Sequence, residues 1–509
     1  MNRVRFTGLR GSGFPAFRWS FMMIGLLVSL FIQLLPSCAN VVYASETVGT
    51  MEAELELLAD SLPIWSGIPF VGILLSIALL PMLTPHFWHF HYKKISLMWA
   101  LVLAIPFLVV YRNVALHELT NVILHDYLPF IILLWGLYTV SGGIFIKGTL
   151  AGTPLVNTQV LIFGTFLASI MGTTGASMLL IRPLLRSNRH RSKKSHIFIF
   201  FIFLISNIGG LLTPLGDPPL FLGFLHGVPF FWTLKLFPEF LVVAAVVLTI
   251  FYFLDNYFYK TDVGAIEHAG TKVNATKLTL EGPVNIIFLI GILTAVMISG
   301  VWEPGGFGLL GIKFEWQGLA RDAFIVVMGL LSLKFTAKQI HRENDFGWHA
   351  IKEVAWLFFG IFVTIIPVIM MLKVGVHGHL GFLVAKVTEA WHYFWMSGAL
   401  SSFLDNAPTY LSFFNMALGQ TGLNEAEAAA ILRGTLEHPQ AQNYIDFLKA
   451  VSCGAVFMGA ITYIGNAPNF MVKTICSEYG VKMPSFFGYM LWSFAILIPS
   501  FIIVTLIFF

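Results

Sequence analysis

Between residues 63 and 508 the chain is a succession of apolar segments, each about as long as a bilayer is thick, and nothing else in it restricts the fold so strongly. A helix needs about 20 apolar residues to cross ~30 Å of hydrocarbon. Segments of this kind lie near 63–83, 95–111, 127–146, 155–185, 196–232, 236–259, 284–302, 322–336, 353–373, 390–416, 447–473 and 485–508. The 509 residues are 57% hydrophobic and only 11% charged, against roughly 25% charged in a soluble domain. A chain with so few charges cannot cover itself with polar surface, so its solvent is lipid. The expected fold is all-α and polytopic. The formal net charge of +4 makes no case for nucleic acid. No Walker-type phosphate loop is present for ATP hydrolysis. Cys38, Cys453 and Cys476 form no metal or disulfide pattern.

Three segments are not plain spans. Segments 155–185 and 390–416 carry polar or Gly/Pro clusters in the middle, and 196–232 holds Thr213-Pro214, Gly216 and Pro218-Pro219. Lys and Arg concentrate in cytoplasmic loops. Loop 186–196 carries Arg186, Arg189, Arg191, Lys193 and Lys194, so it is expected in the cytoplasm. With that loop fixed, 155–185 enters and leaves on one side as a re-entrant hairpin, and 196–232 crosses outward as a broken helix. Segment 390–416 becomes a hairpin from the opposite side, and 447–473 a second broken helix running inward. Lys93, Lys94, Lys260, Lys334, Lys338, Arg342, Lys473 and Lys482 then fall on the cytoplasmic side of a bacterial-type inner (plasma) membrane. At the N-terminus, Arg3, Arg5, Arg10 and Arg18 precede the apolar run 21–35 and the small-residue patterns Ser37-Cys38-Ala39 and Val42-Tyr43-Ala44. Residues 1–44 read as a signal peptide or a retained N-terminal membrane anchor; both place 45–62 outside.

The two breaks match. Thr213-Pro214-Leu215-Gly216-Asp217-Pro218-Pro219-Leu220-Phe221 corresponds to Thr462-Tyr463-Ile464-Gly465-Asn466-Ala467-Pro468-Asn469-Phe470 at an offset of 249, with Thr, Gly, Pro and Phe in step. Thr174-Gly175-Ala176-Ser177 stands in the first hairpin where Asp405-Asn406-Ala407-Pro408 stands in the second. Leu133-Leu134-Trp135-Gly136 resembles Leu357-Phe358-Phe359-Gly360. The matched segments run in opposite directions across the bilayer. The expectation is two inverted-topology repeats, 63–259 (hairpin 155–185, broken helix 196–232) and 284–509 (hairpin 390–416, broken helix 447–473), joined by a cytoplasmic linker, 260–283. Inverted repeats with paired interrupted helices mark secondary transporters whose site lies near the midplane.

A broken helix exposes backbone groups that lipid cannot satisfy, so its gap faces protein, water or an ion. Carbonyls around Gly216 and Gly465, with the hydroxyls and amides of Thr173, Thr174, Ser177, Thr213, Asn406, Thr409, Thr462 and Asn466, suit a hard cation such as Na+. Each hydroxyl taken singly is better explained by helix packing or a local bond to backbone. Asp217 and Asp405 are sharper, because a charge near mid-bilayer costs about 2.5–3.5 kcal/mol and is functional or paired. Desolvation favours a protonated carboxyl and a bound cation favours the ionised one, so one Asp can hold either a proton or Na+. The competing reading of Asp217 is an N-cap before Pro218-Pro219. Lys147 and Lys373 read as span-end side chains reaching the interface, and Arg182 as a headgroup contact or an anion ligand. Asp255 and Asn256 read as the inner end of a helix. His86, His89 and His91 lie among aromatics and read as an interfacial belt rather than a metal site. A membrane-embedded enzyme would need His, Glu and Asp clustered at one depth, so no enzyme is expected.

At these residues the chain resembles the ion transporter superfamily, which includes NhaD-type sodium/proton antiporters, citrate carriers and divalent-anion/sodium symporters. The resemblance covers roughly residues 63–509. The tip Asp405-Asn406-Ala407-Pro408, together with Gly216-Asp217 and Gly465-Asn466, is most similar to the NhaD-type antiporters. The Ser-Asn-Thr hairpin tips of the dicarboxylate symporters are replaced by Thr173-Thr174-Gly175 and Leu404-Asp405-Asn406. The resemblance implies a Na+ site at Asp405, Asn406 and Asn466, with Asp217 joining it, and a homodimer in the lipid bilayer. The function expected is secondary active transport, as a Na+(Li+)/H+ antiporter working by alternating access. The alternative is a cation-coupled citrate, dicarboxylate or oxyanion transporter. No cofactor is expected beyond the transported Na+ and H+, and no ATPase partner is required.

Overall fold

The computed structural model describes residues 58–268, 276–309 and 312–509; the signal or anchor segment 1–44 lies outside the described residues. Two short antiparallel ribbons interrupt an otherwise helical chain. One pairs β1 (Phe145–Thr149) with β2 (Thr276–Glu281), the other β3 (Gly306–Leu309) with β4 (Ile312–Glu315). Neither was expected from the sequence, whose period-2 signal here spans only four to six residues.

The first helices are α1 (Ile68–Leu83), α2 (Pro85–Asn121) and α3 (Leu128–Gly142). The spans expected at 95–111 and 127–146 belong to one helical run, Pro85–Gly142, kinked at Arg112 where φ is 45°. Next come α4 (Pro154–Met171), α5 (Thr173–Ser187), α6 (Ser195–Leu204), α7 (Pro218–Leu225) and α8 (Phe237–His268). The second half holds α9 (Val284–Ser299), α10 (Trp316–Phe335), α11 (His349–Thr364), α12 (Ile366–Lys373), α13 (Ala390–Phe403), α14 (Asn406–Thr421), α15 (Glu425–Arg433), α16 (Ala441–Met458), α17 (Ala467–Glu478) and α18 (Phe486–Phe508). Six described helical stretches are long and apolar enough to cross a bilayer, or seven if α11 and α12, bent by 43°, count as one. Several other apolar segments are divided into pieces too short for that criterion. The protein is an all-α polytopic membrane protein.

Two packing groups are distinguishable. α2 lies against α1 and α11, and α10 against α9 and α3. These helices keep many apolar side chains exposed, among them Val102, Ile105, Val109, Ile287 and Ile290, as a lipid-facing surface requires. In the second group, α4 folds back on α5 and α13 on α14, and α16 packs on both α13 and α14. Here His196–Leu204 of α6 is buried at every position, which marks a helix enclosed by others. The groups meet where α3 packs on α5.

Each helical hairpin reverses in one or two residues. The α4–α5 turn uses Gly172 at φ 81°, a conformation that costs an L-residue strain. The α13–α14 turn uses Leu404-Asp405. Beyond each hairpin a helix comes apart. After α6 the backbone leaves the α-helix until Pro218, with a single 3-10 turn at Ile208–Gly210. After α16 a matching turn at Gly459–Ile461 precedes a bent, non-helical stretch to Asn466. Asp217 (φ −141°, ψ 143°) and Asn466 (φ −150°, ψ 139°) share one extended conformation, each followed by a helix with proline in its first two positions.

The two span-end lysines Lys147 and Lys373 are paired rather than free. Lys147 bonds Glu281 across the first ribbon at 3.1 Å, and Lys373 bonds Glu425 at 2.7 Å. Arg182 is only 5% exposed, with Asp345 4.0 Å away, which corrects its reading as a headgroup contact. Asp255 does not end a helix, as read from the sequence, but lies inside α8, which runs on to His268. It accepts from Arg191 at 2.6 Å, His196 at 2.8 Å and Asn157 at 3.0 Å, tying loop 186–196 to α8 and α4.

Candidate functional site

The two breaks face each other, and a single carboxylate lies between them. Asp217 is 1% exposed. Its Oδ1 accepts the Thr173 hydroxyl and the Asn466 amide, both at 3.0 Å, and its Oδ2 accepts the Asn406 amide. Those three donors come from the first hairpin tip, the second break and the second hairpin tip. All four interrupted elements therefore converge on one group. No Lys, Arg or His pairs with Asp217 among the described residues.

The backbone explains why these side chains meet. Thr173 N–H donates to the Gly216 carbonyl at 2.8 Å, fixing the first hairpin tip to the first break. A Cβ on Gly216 would strike the Gly210 carbonyl, so only glycine allows the break to fold back on itself. Thr213 and Thr462 each donate a hydroxyl to a carbonyl of their own hairpin, Ser169 and Ser402, and each accepts the N–H two residues on, from Leu215 and Ile464 at 3.2 Å. These two threonines hold the breaks in place and do not touch Asp217. Across the repeats, Asn207 donates to Asn469 Oδ1 at 2.8 Å, and Asn469 donates to the carbonyls of Gly459 and Thr462.

The remaining candidates take other places. Ser177 shares a hydrogen bond with Ser206 at 2.8 Å, and the Ser206 carbonyl accepts from Asn466 at 3.0 Å, which leaves two residues between Ser177 and Asp217. Thr174 is half-buried and outside the ring around Asp217; its neighbour Thr173 occupies that position. Thr409 bonds back to the Asp405 carbonyl within its own helix. Asp405 is half-buried and its side chain caps α14 by accepting from Ala407 N–H at 3.1 Å. Asp217, for which an N-cap is the competing reading, makes no side-chain cap bond on α7. Gly465, like Gly216, serves by lacking a side chain where the Gly459 and Ser401 carbonyls approach.

Ser206, Asn207 and Asn469 were not singled out from the sequence. A signal existed for the first two, because Ser206-Asn207-Ile208-Gly209-Gly210 interrupts an apolar run. Asn469 stands opposite Leu220 in the repeat alignment and had no counterpart to flag it.

A buried carboxylate held only by neutral donors can lose or gain a proton, or exchange its donors for a cation, without breaking an ion pair. One acceptor in the ring is unused: Asn406 Oδ1 is buried without a hydrogen-bond partner among the described residues. An orphaned buried oxygen beside an acid is the local chemistry a hard cation completes.

Interrupted helices meeting at such a group inside an all-α membrane fold define a membrane transport protein of the secondary type. Residues 59–509 match the family model CitMHS_2, described as "Putative citrate transport", and the chain belongs to that family. A comparison with curated proteins finds no match. The family match covers transporters of the citrate-carrier kind; the narrower likeness to sodium/proton antiporters rests on the hairpin and break motifs.

Proposed function

We propose that the chain exchanges Na+ (or Li+) for H+ by alternating access, with Asp217 carrying proton and cation in turn. The observation behind this reading is the ring of neutral groups around the buried Asp217. An ionised carboxylate is an acceptor only, so Asn406 and Asn466 must turn their NH2 groups toward it. A cation needs oxygens instead. Rotating either amide would present its Oδ1, and Thr173 can offer its oxygen without moving. A protonated Asp217 would donate its O–H to the oxygen that Asn406 now leaves unpaired. Cation and proton thus compete for one carboxylate and one set of neighbours, which is sufficient for antiport. Asp405, within electrostatic reach at the second hairpin tip, is the second acid of the site. In this reading the hairpin-bearing group slides against the helices of 63–146 and 284–373, and loop 186–196 faces the cytoplasm.

The test uses everted vesicles holding a pH gradient. Added Na+ should dissipate the gradient with the natural protein and leave it standing with Asp217→Asn. Exchange that survives Asp217→Asn rejects the reading. The family description favours a second reading, cation-coupled citrate transport, in which the same site holds the coupling ion. Uptake of labelled citrate driven by a Na+ gradient would support it.

A further inference from the structure

Most buried apolar side chains form one core, while Tyr138, Met178 and Ile351 form a second, small cluster with Phe346, Trp348 and Met471 packed against it. Its members come from both helix groups: Tyr138 lies on α3 and Ile351 on α11, Met178 on α5 and Met471 on α17. α5 and α17 are also the helices that present two of the donors to Asp217, Thr173 at the start of one and Asn466 just before the other. Met178 and Met471 each stand five residues further on, about 7.5 Å along a helix axis. The small cluster therefore lies about a turn and a half beyond the ring around Asp217.

Both helices run from the ring to the face of loop 186–196, where the Ser195 hydroxyl donates to the Lys482 carbonyl at 2.8 Å. Residues 344–348 cover the cluster on that face. Asn344 donates to the Gly142 and Ile144 carbonyls at 2.9 and 2.8 Å, and Tyr138 donates to the Gly347 carbonyl at 2.6 Å. Phe346 fills the space that a Cβ on Gly142 would need, and its ring stands 5.1 Å from those of Tyr138 and Trp348. Asp345 holds φ 49°, a strained conformation that surrounding contacts must sustain. One turn beyond Met178, Arg182 is 5% exposed. Its Nη1 is buried without a hydrogen-bond partner among the described residues, and Asp345 stays 4.0 Å from Nη2. At the opposite face the two helix groups are parted by a cavity of about 970 Å³, between Phe224 on α7 and Arg321 and Asp322 on α10.

We propose that residues 344–348 are a gate across the path from Asp217 to the face of loop 186–196, closed in this structure, with Arg182 as the charge behind it. Aromatic rings and thioethers at a constriction exclude water, and with it a hydrated ion. The Arg182 cation, matched only loosely by an exposed Asp345, repels Na+ that nears the seal. When the loop swings away, Asp345 can relax from its left-handed conformation, Tyr138 releases the Gly347 carbonyl, and the ring gains a route to this face. Parted at one face and sealed at the other is what alternating access requires of one of its two states. The gate rests on the alternating-access reading, but on neither Na+/H+ exchange nor citrate transport in particular.

The experiment measures access rather than transport. Met178→Cys is placed in the full chain carrying Cys38→Ala, Cys453→Ala and Cys476→Ala, and a membrane-impermeant maleimide is added to everted vesicles, where loop 186–196 faces outward. Labelling should be slow with Phe346 in place. Phe346→Ala should speed it by about tenfold or more. Tyr138→Phe, which deletes one hydrogen bond to the loop, should speed it about two- to tenfold. Equal labelling rates with and without Phe346 overturn the proposal. Should Phe346→Ala fail to fold, a rate unchanged in Tyr138→Phe overturns it instead. Labelling needs no ion flux, so a failed gate and a failed exchange reading are told apart.

Discussion

At the scale of single residues, two aspartates that look alike in the sequence do different work. Asp405 spends its carboxylate on Ala407 N–H, while Asp217 gathers three side-chain donors. Asparagine caps a helix about as well as aspartate, whereas alanine loses about 1 kcal/mol. Asp405→Asn should therefore melt like the natural protein and Asp405→Ala about one degree lower, so any transport defect in Asp405→Asn reports on charge rather than on the cap. Removing the Thr173 hydroxyl with Thr173→Val deletes one bond to Asp217, worth ~0.5–1.5 kcal/mol. Apparent Na+ affinity in vesicle assays should fall by up to roughly tenfold, with exchange retained. On α15, burial disfavours the charge on Glu425, but His226 and Lys373 outweigh it and hold this carboxyl well below the usual carboxylate range. A group depressed on folding stabilises the native state above its unfolded pKa, about 4.3. That stability is lost as pH falls toward the native value. Melting in detergent between pH 5 and pH 3 should show the natural protein losing more stability than Glu425→Gln.

At the scale of elements, the hairpins and breaks depend on a few positions where no substitution is neutral. Gly216→Ala places a methyl against the Gly210 carbonyl, and overpacking of this kind costs about 1–3 kcal/mol. The variant should be less stable and, because Asp217 follows directly, impaired in exchange. The buried Arg191–Asp255 pair belongs to another element-level device, joining loop 186–196 to α8. Removing one partner of a buried pair leaves an uncompensated charge and costs about 3–5 kcal/mol. Asp255→Ala should lower the melting temperature far more than Lys147→Ala, whose exposed pair with Glu281 is worth little.

At the scale of the molecule, the question is whether the two helix groups move. Ser141 on α3 and Gly175 on α5 sit at their boundary, and a Cβ on Gly175 would lie 3.1 Å from the Ser141 Cβ. Bridged Cβ atoms stand about 3.5–4.5 Å apart, so a Ser141→Cys, Gly175→Cys pair should form a disulfide on oxidation once the two helices separate by a few tenths of an ångström. If transport requires sliding of α5 past α3, oxidation halts it, reduction restores it, and the single variants are unaffected by either. Transport that continues with the bridge formed would place the motion elsewhere.

The sequence by itself determined the solvent, the helices and the places where helices fail. Apolar length and missing charge are properties of contiguous residues, and so are the Gly/Pro interruptions near 213–219 and 462–468. It also brought Asp217, Asn406 and Asn466 forward as candidates, since acids and amides inside apolar runs stand out locally. The tertiary structure alone decided which aspartate is surrounded, because Asp217 draws its donors from residues 44, 189 and 249 positions away. It also chose Thr173 over Thr174, a difference of helical phase that composition does not carry. The convergence of four separate elements on one carboxylate is a matter of packing, which a linear pattern can announce only as matched interruptions.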